Sequence, residues 1–171
     1  MKNKRNLISI LLVLILSIIV FIPLTMVEKL ELIKIEANIY IEYQEKPTSA
    51  EMKSIHVSYI CSNINVTCRE FPPFMPYIRW HLTFLKVKIS VYDGEMLLLE
   101  FEEEVIQSGS RVFGKVCYKN ITQIDMDFNQ TIRAVLEFQI EGYIAAFEIW
   151  RISSYTAVGS VEEEVPKTFS G

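Results

Sequence analysis

The chain has 171 residues, half of them hydrophobic and 22% charged, with a formal net charge of −4. That balance excludes intrinsic disorder as the main state, and three cysteines with two histidines exclude a disulfide-built scaffold or a zinc finger. Lys2, Lys4 and Arg5 precede everything else, which leaves 14 basic against 21 acidic groups in the remainder, a surface that repels nucleic acid and anionic lipid.

Residues 7–27 form an uncharged run of 21 residues, LISILLVLILSIIVFIPLTMV. As a helix this run would be roughly 31 Å long, against a hydrocarbon core of about 30 Å. It shows no polar stripe, so a transmembrane helix or signal-anchor is expected, with residues 1–6 as a cytoplasmic basic tail. The run exceeds the usual apolar core of a cleavable leader, and Pro23-Leu24-Thr25-Met26-Val27 lacks paired small residues for signal peptidase. Retention is favoured, with cleavage left open. Lys2, Lys4 and Arg5 on one side outnumber Lys29 and Lys34 on the other, a small bias that favours the large domain outside the cytoplasm.

Two further patterns belong to an outward-facing domain. Three Asn-x-Thr acceptors, at Asn65, Asn120 and Asn129, occur among seven asparagines and are expected near strand ends or loops. Either they are N-glycosylated or they are accidental tripeptides. Cys61 and Cys68 enclose six residues that allow a small disulfide-closed loop; two free thiols on neighbouring strands are the alternative. Cys117, between Val116 and Tyr118, reads as core.

After the apolar run the pattern becomes alternation. Ile33, Ile35, Ala37, Ile39, Ile41 and Tyr43 share one face, with charged and polar residues between them, which predicts a long half-buried strand. A second strand carries Ile55, Val57, Tyr59 and Cys61, then changes phase at Ser62-Asn63 to Ile64, Val66 and Cys68. Pro72, Pro73 and Pro76 make residues 71–77 an irregular connection with aromatic side chains available to a partner. A strand over residues 78–92, with a phase slip after Phe84, ends at Asp93-Gly94, the hairpin signal of the chain. Its return strand is 96–106. Then follow a serine-rich turn, a strand at 111–118, a less regular stretch 119–130 with one possible helical turn at 122–129, a strand at 131–141, a turn at Gly142 and a last strand to about residue 157. The expected class is all-β: an antiparallel β-sandwich of about seven strands over residues 28–158, preceded by one transmembrane helix, with a closed barrel as the alternative. Residues 159–171 read as an acidic flexible tail.

The order Val87-Lys-Ile-Ser-Val-Tyr-Asp-Gly-Glu95, Glu104-Val-Ile-Gln-Ser-Gly-Ser-Arg111 and Leu136-Glu-Phe-Gln-Ile-Glu-Gly-Tyr143 resembles the water-stress domain of the group 2 late-embryogenesis-abundant proteins. The resemblance covers about half the chain, residues 78–157. It departs in the first half, where the proline segment 71–77 replaces the family's Asn-Pro strand opening. It implies a seven-stranded sandwich, often preceded by a membrane helix, that serves at membranes or partner surfaces without catalysis; no catalytic residue carries over.

The chain has no glycine-rich phosphate loop, nucleophile elbow, His-Glu-x-x-His or Cys-x-x-Cys, so no cofactor is expected. His56 and His81 are weighed as metal ligands and read instead as surface or rim residues. Glu100, Glu102, Glu103 and Glu104 alternate across a strand, which suits a solvated edge better than one calcium ion. Asp125 and Asp127 are a carboxylate pair for acid–base work only if a cleft accompanies them. Trp80, Phe84 and Trp150 read as core. The functional expectation is an anchored, outward-facing module that acts by contact with a protein partner at the membrane; a secreted filament or lattice subunit is the alternative.

Overall fold

The computed structural model describes residues 8–17, 33–47, 53–68, 70, 71, 73, 77–107, 112, 114–128 and 131–165. Residues 8–17 are helical, with exposed side chains throughout, and no helix among the described residues is long and apolar enough to cross a membrane. The rest of the apolar run, 7 and 18–27, lies outside the described residues.

Seven strands follow: β1 (Ile33–Pro47), β2 (Lys53–Cys68), β3 (Ile78–Asp93), β4 (Met96–Ile106), β5 (Lys115–Phe128), β6 (Ile132–Ala146) and β7 (Trp150–Val165). They build two antiparallel sheets, β1-β2-β5 and β4-β3-β6-β7, so the fold is a sandwich and the closed barrel is set aside. Hairpins join β1 to β2, β3 to β4 and β6 to β7 within a sheet. The other three connections cross between sheets in Greek-key fashion.

Period-two burial explains the core. β3 turns Leu85, Val87, Ile89 and Val91 inward and β6 turns Ile132, Ala134, Leu136 and Ile140 inward, to meet Ile60, Ile64 and Val66 of β2. Each fully buried branched side chain contributes about 1.5–3 kcal/mol of transfer free energy, so these rows dominate the favourable side of folding. A second cluster closes one end of the sandwich: Cys68, Ile78, Trp80 and Ile144, with Ile33, Phe71, Tyr77 and Tyr155 against them. This end is called proximal, because β1 starts there. The far, distal end carries the β3–β4 hairpin and the β5–β6 connection.

Several boundaries differ from expectation. The phase change in β2 falls between Val57 and Tyr59, because two β5 residues, Ile124 and Asp125, stand against Ser58 alone; Ser62 and Asn63 stay in register. β5 runs on to Phe128, so neither an irregular stretch nor a helical turn forms at 119–128. Gly142 sits inside β6, and the turn comes at 147–149. β7 continues to Val165 as the partner of Ile132, so the expected tail is strand up to that residue; 166–171 lie outside the described residues. The slip in β3 does occur, between Leu82 and Phe84.

Candidate functional site

Cys61 and Cys68 lie on one uninterrupted strand, and all three cysteines are free. Seven residues of strand separate their Cα atoms by about 23 Å, beyond the reach of a disulfide. The expected loop is absent because residues 62–67 pair on both sides, with β1 and with β5. Burial pushes the Cys68 thiol up to about 12. Cys117 is exposed on the outer row of β5, contrary to the core reading, since Val116 and Tyr118 take the inner row.

Two of the sequons, at Asn65 and Asn120, lie within strands and not in loops. Asn65 is half-buried in the middle strand of its sheet, opposite Glu36 and Cys117. Asn120 follows Tyr118 on the inward row of β5 and donates its amide N–H to the Tyr118 hydroxyl at 3.1 Å. That hydroxyl in turn donates to Glu103 at 3.2 Å, across the gap between sheets. Asn129 lies outside the described residues.

The acidic strand β4 is resolved into separate roles. Glu102 pairs with Lys86 at 2.7 Å and Glu100 with Lys88 at 2.9 Å on the outer face, while Glu103 turns inward to Tyr118. The ion pair holds the Lys88 ammonium above its ordinary range, first through the hydrogen bond to Glu100. Beyond these pairs β4 is apolar and open: Met96, Leu97, Leu98, Leu99 and Phe101 are all exposed on an edge strand.

His56, Asp125 and Asp127 do come together, at the distal end of the β2–β5 pair. His56 Nδ1 stands 2.6 Å from Asp127 and Nε2 stands 3.2 Å from Asp125. The bulge opposite Ser58 makes this possible: Asp125 adopts φ 48°, a left-handed conformation that swings its carboxylate beside the ring. A general base needs a ring nitrogen facing substrate, and here each nitrogen faces a carboxylate, so the cluster braces β2 against the bulge. Among the described residues no group of three His, Cys, Asp or Glu side chains is arranged to hold a metal ion. His81 is fully buried and stacks on Tyr143 with ring centroids 4.7 Å apart, rather than lying at a rim.

The largest departure from the sequence reading is at the proximal end. Trp80 is buried and meets Tyr155 edge-on, Phe84 is half-buried, and Trp150 is 68% exposed. Phe147 and Ile149, in the turn before it, are 58% and 85% exposed. Phe147 and Glu148 have φ values of 52° and 60°, left-handed conformations that cost on the order of 1–3 kcal/mol each for non-glycine residues. Four contacts hold the turn: Phe147 stacks on Tyr77 at 4.8 Å, its N–H donates to the Tyr77 carbonyl at 2.7 Å, the Ile149 N–H donates to the Ala146 carbonyl at 3.2 Å, and Arg79 donates to Glu148 at 2.8 Å. Beside it opens a hollow of about 280 Å³ lined by Tyr77, Ile78, Phe147, Trp150 and Ile152, with Arg151 as its one charged wall. In the proline segment, Phe71 and Tyr77 pack on the proximal cluster; residues 72 and 74–76 lie outside the described residues.

No family model matches the chain, and no curated protein matches it in sequence.

Proposed function

We propose that the protein is a single-pass, membrane-anchored β-sandwich whose domain stands on the extracytoplasmic side and acts by contact, as a non-enzymatic accessory or interaction subunit. One observation carries this reading: an uncharged run of 21 residues ends only six positions before the first strand of a complete sandwich. The described part of that run supports it, being an apolar helix whose side chains have no core to cover them. Lys2, Lys4 and Arg5 ahead of the run favour the inside for the amino terminus. The resemblance to the water-stress domain points to the same kind of module. Anchoring supplies the mechanism, because confinement near a membrane partner raises effective concentration and lets a weak interface suffice.

The test is fractionation of cells producing the full chain. The protein should resist carbonate extraction, and protease added to intact cells should digest the domain. Recovery in the carbonate supernatant, or protection from the protease, overturns the reading.

The exposed apolar edge of β4 favours a second reading, a secreted structural subunit joined to its neighbours by strand addition after removal of the leader. Intact mass of the native protein separates the two, since the second requires loss of residues 1 to about 27.

A further inference from the structure

The end of the sandwich that carries Phe147, Ile149 and Trp150 is also the end at which the chain arrives from its apolar run. Ile33 packs on the cluster of Cys68, Ile78, Trp80 and Ile144; Tyr77 packs on the same cluster and stacks on Phe147. Val27 precedes Ile33 by six positions, and six residues span at most about 22 Å. With residues 7–27 embedded in a bilayer, a reading on which the following rests, the aromatic turn stays close to the headgroup layer.

Single exposed apolar residues are ordinary on a protein surface. Here three large ones fall within four positions of one turn, on a left-handed backbone, beside a mostly apolar hollow that Arg151 also lines. Aromatic side chains of this kind partition to the boundary between water and hydrocarbon. The charges agree. Glu148 is the one carboxylate of the turn and is tied to Arg79, while Arg151 follows with its guanidinium 4.9 Å from the Tyr143 ring centroid. The turn itself thus meets a lipid surface with its one carboxylate ion-paired.

We infer that this end docks on the headgroup layer of the membrane that residues 7–27 enter, with Trp150, Ile149 and Phe147 in the interfacial region and Arg151 at the level of the phosphates. The sandwich then stands on the bilayer at two points, the tether and the aromatic turn.

The experiment reconstitutes the full chain into phosphatidylcholine vesicles whose acyl chains are brominated close to the headgroup, and compares tryptophan emission with that in unbrominated vesicles. The chain has two tryptophans, and Trp80 is buried. Bromine should quench the emission, and Trp150→Phe, which keeps a ring at the turn, should abolish that quenching. Flotation on a density gradient reads the anchor independently. Protein that floats with the vesicles while Trp150 goes unquenched overturns the docking and leaves the anchor standing; this is also the outcome if the turn faces a protein instead. Protein that does not float overturns both. In Ile149→Asp the protein should still float with Trp150 quenching reduced, and undiminished quenching there overturns the docking.

Discussion

Gly142 stands in β6 where an added Cβ would lie 2.6 Å from the His81 carbonyl oxygen and 3.2 Å from the Trp80 ring. Neither neighbour yields easily, one being backbone and the other a buried indole. Gly142→Ala should therefore lower stability by about 1–3 kcal/mol, read as a reduced urea midpoint. The cysteines offer a second test. Cys117 should react with a maleimide in the native protein at neutral pH, while Cys68 should react only on unfolding, because burial keeps it a thiol. The raised Cys68 value also fixes a sign: above the ordinary thiol value of 9.0 the unfolded chain loses this proton first, so the unfolded state is favoured as pH climbs towards about 12. Cys68→Ala should flatten the fall in urea midpoint over that range, and an equal fall in both proteins would contradict the assignment. Placement of single residues was partly legible. Alternation alone opposes Cys117 to Val116 and Tyr118 and so predicts its outward side, a signal that hydrophobicity obscured. Nothing in composition distinguishes Trp80 from Trp150, since the difference is position along the sandwich.

Among the elements, the β3–β4 hairpin was the most legible, because its signal is local. Asp93 pairs with Met96 around Gly94-Glu95, and Gly94 alone takes a positive φ, 61°, the pattern of a type II′ turn rather than the type I′ expected of Asp-Gly. Its N–H donates to the Thr131 carbonyl at 2.8 Å, so the turn also fastens the start of β6. Gly94→Val puts a β-branched residue at positive φ and should lower the thermal midpoint by several degrees, for a cost of about 1–2 kcal/mol. A midpoint equal to wild type would show that the turn has another conformation. The β6–β7 hairpin was missed for the converse reason. Turn chemistry favoured Gly142, whereas the real turn puts Phe147 and Glu148 in left-handed conformations supported by tertiary contacts with Tyr77 and Arg79. The end of β7 was hidden likewise: Glu162, Glu163 and Glu164 look like a solvated tail, yet they pair in register with Val135, Ala134 and Arg133.

For the whole molecule, class and strand number followed from period-two patterning, because one buried face per sheet leaves little freedom in register. The partition into three and four strands did not, since it depends on which strands meet across the core. The brace at His56 was likewise out of reach, as it joins residues 71 positions apart through a bulge. Membrane attachment is tested at this scale by Leu14→Arg, which places a charge in the middle of the apolar run at a cost of about 3 kcal/mol on insertion scales. The carbonate-resistant fraction should fall sharply, and unchanged resistance would contradict the anchor.

Seven is an odd number of antiparallel passes, so the polypeptide enters the sandwich on one side and departs from the other. β7 climbs from Trp150 to Val165, a rise of about 50 Å over its 16 residues. Val165, beside Ile132, therefore stands at the opposite end of the sandwich from Ile33, which lies beside Cys68, so the first and last strand residues are held roughly a strand's length apart.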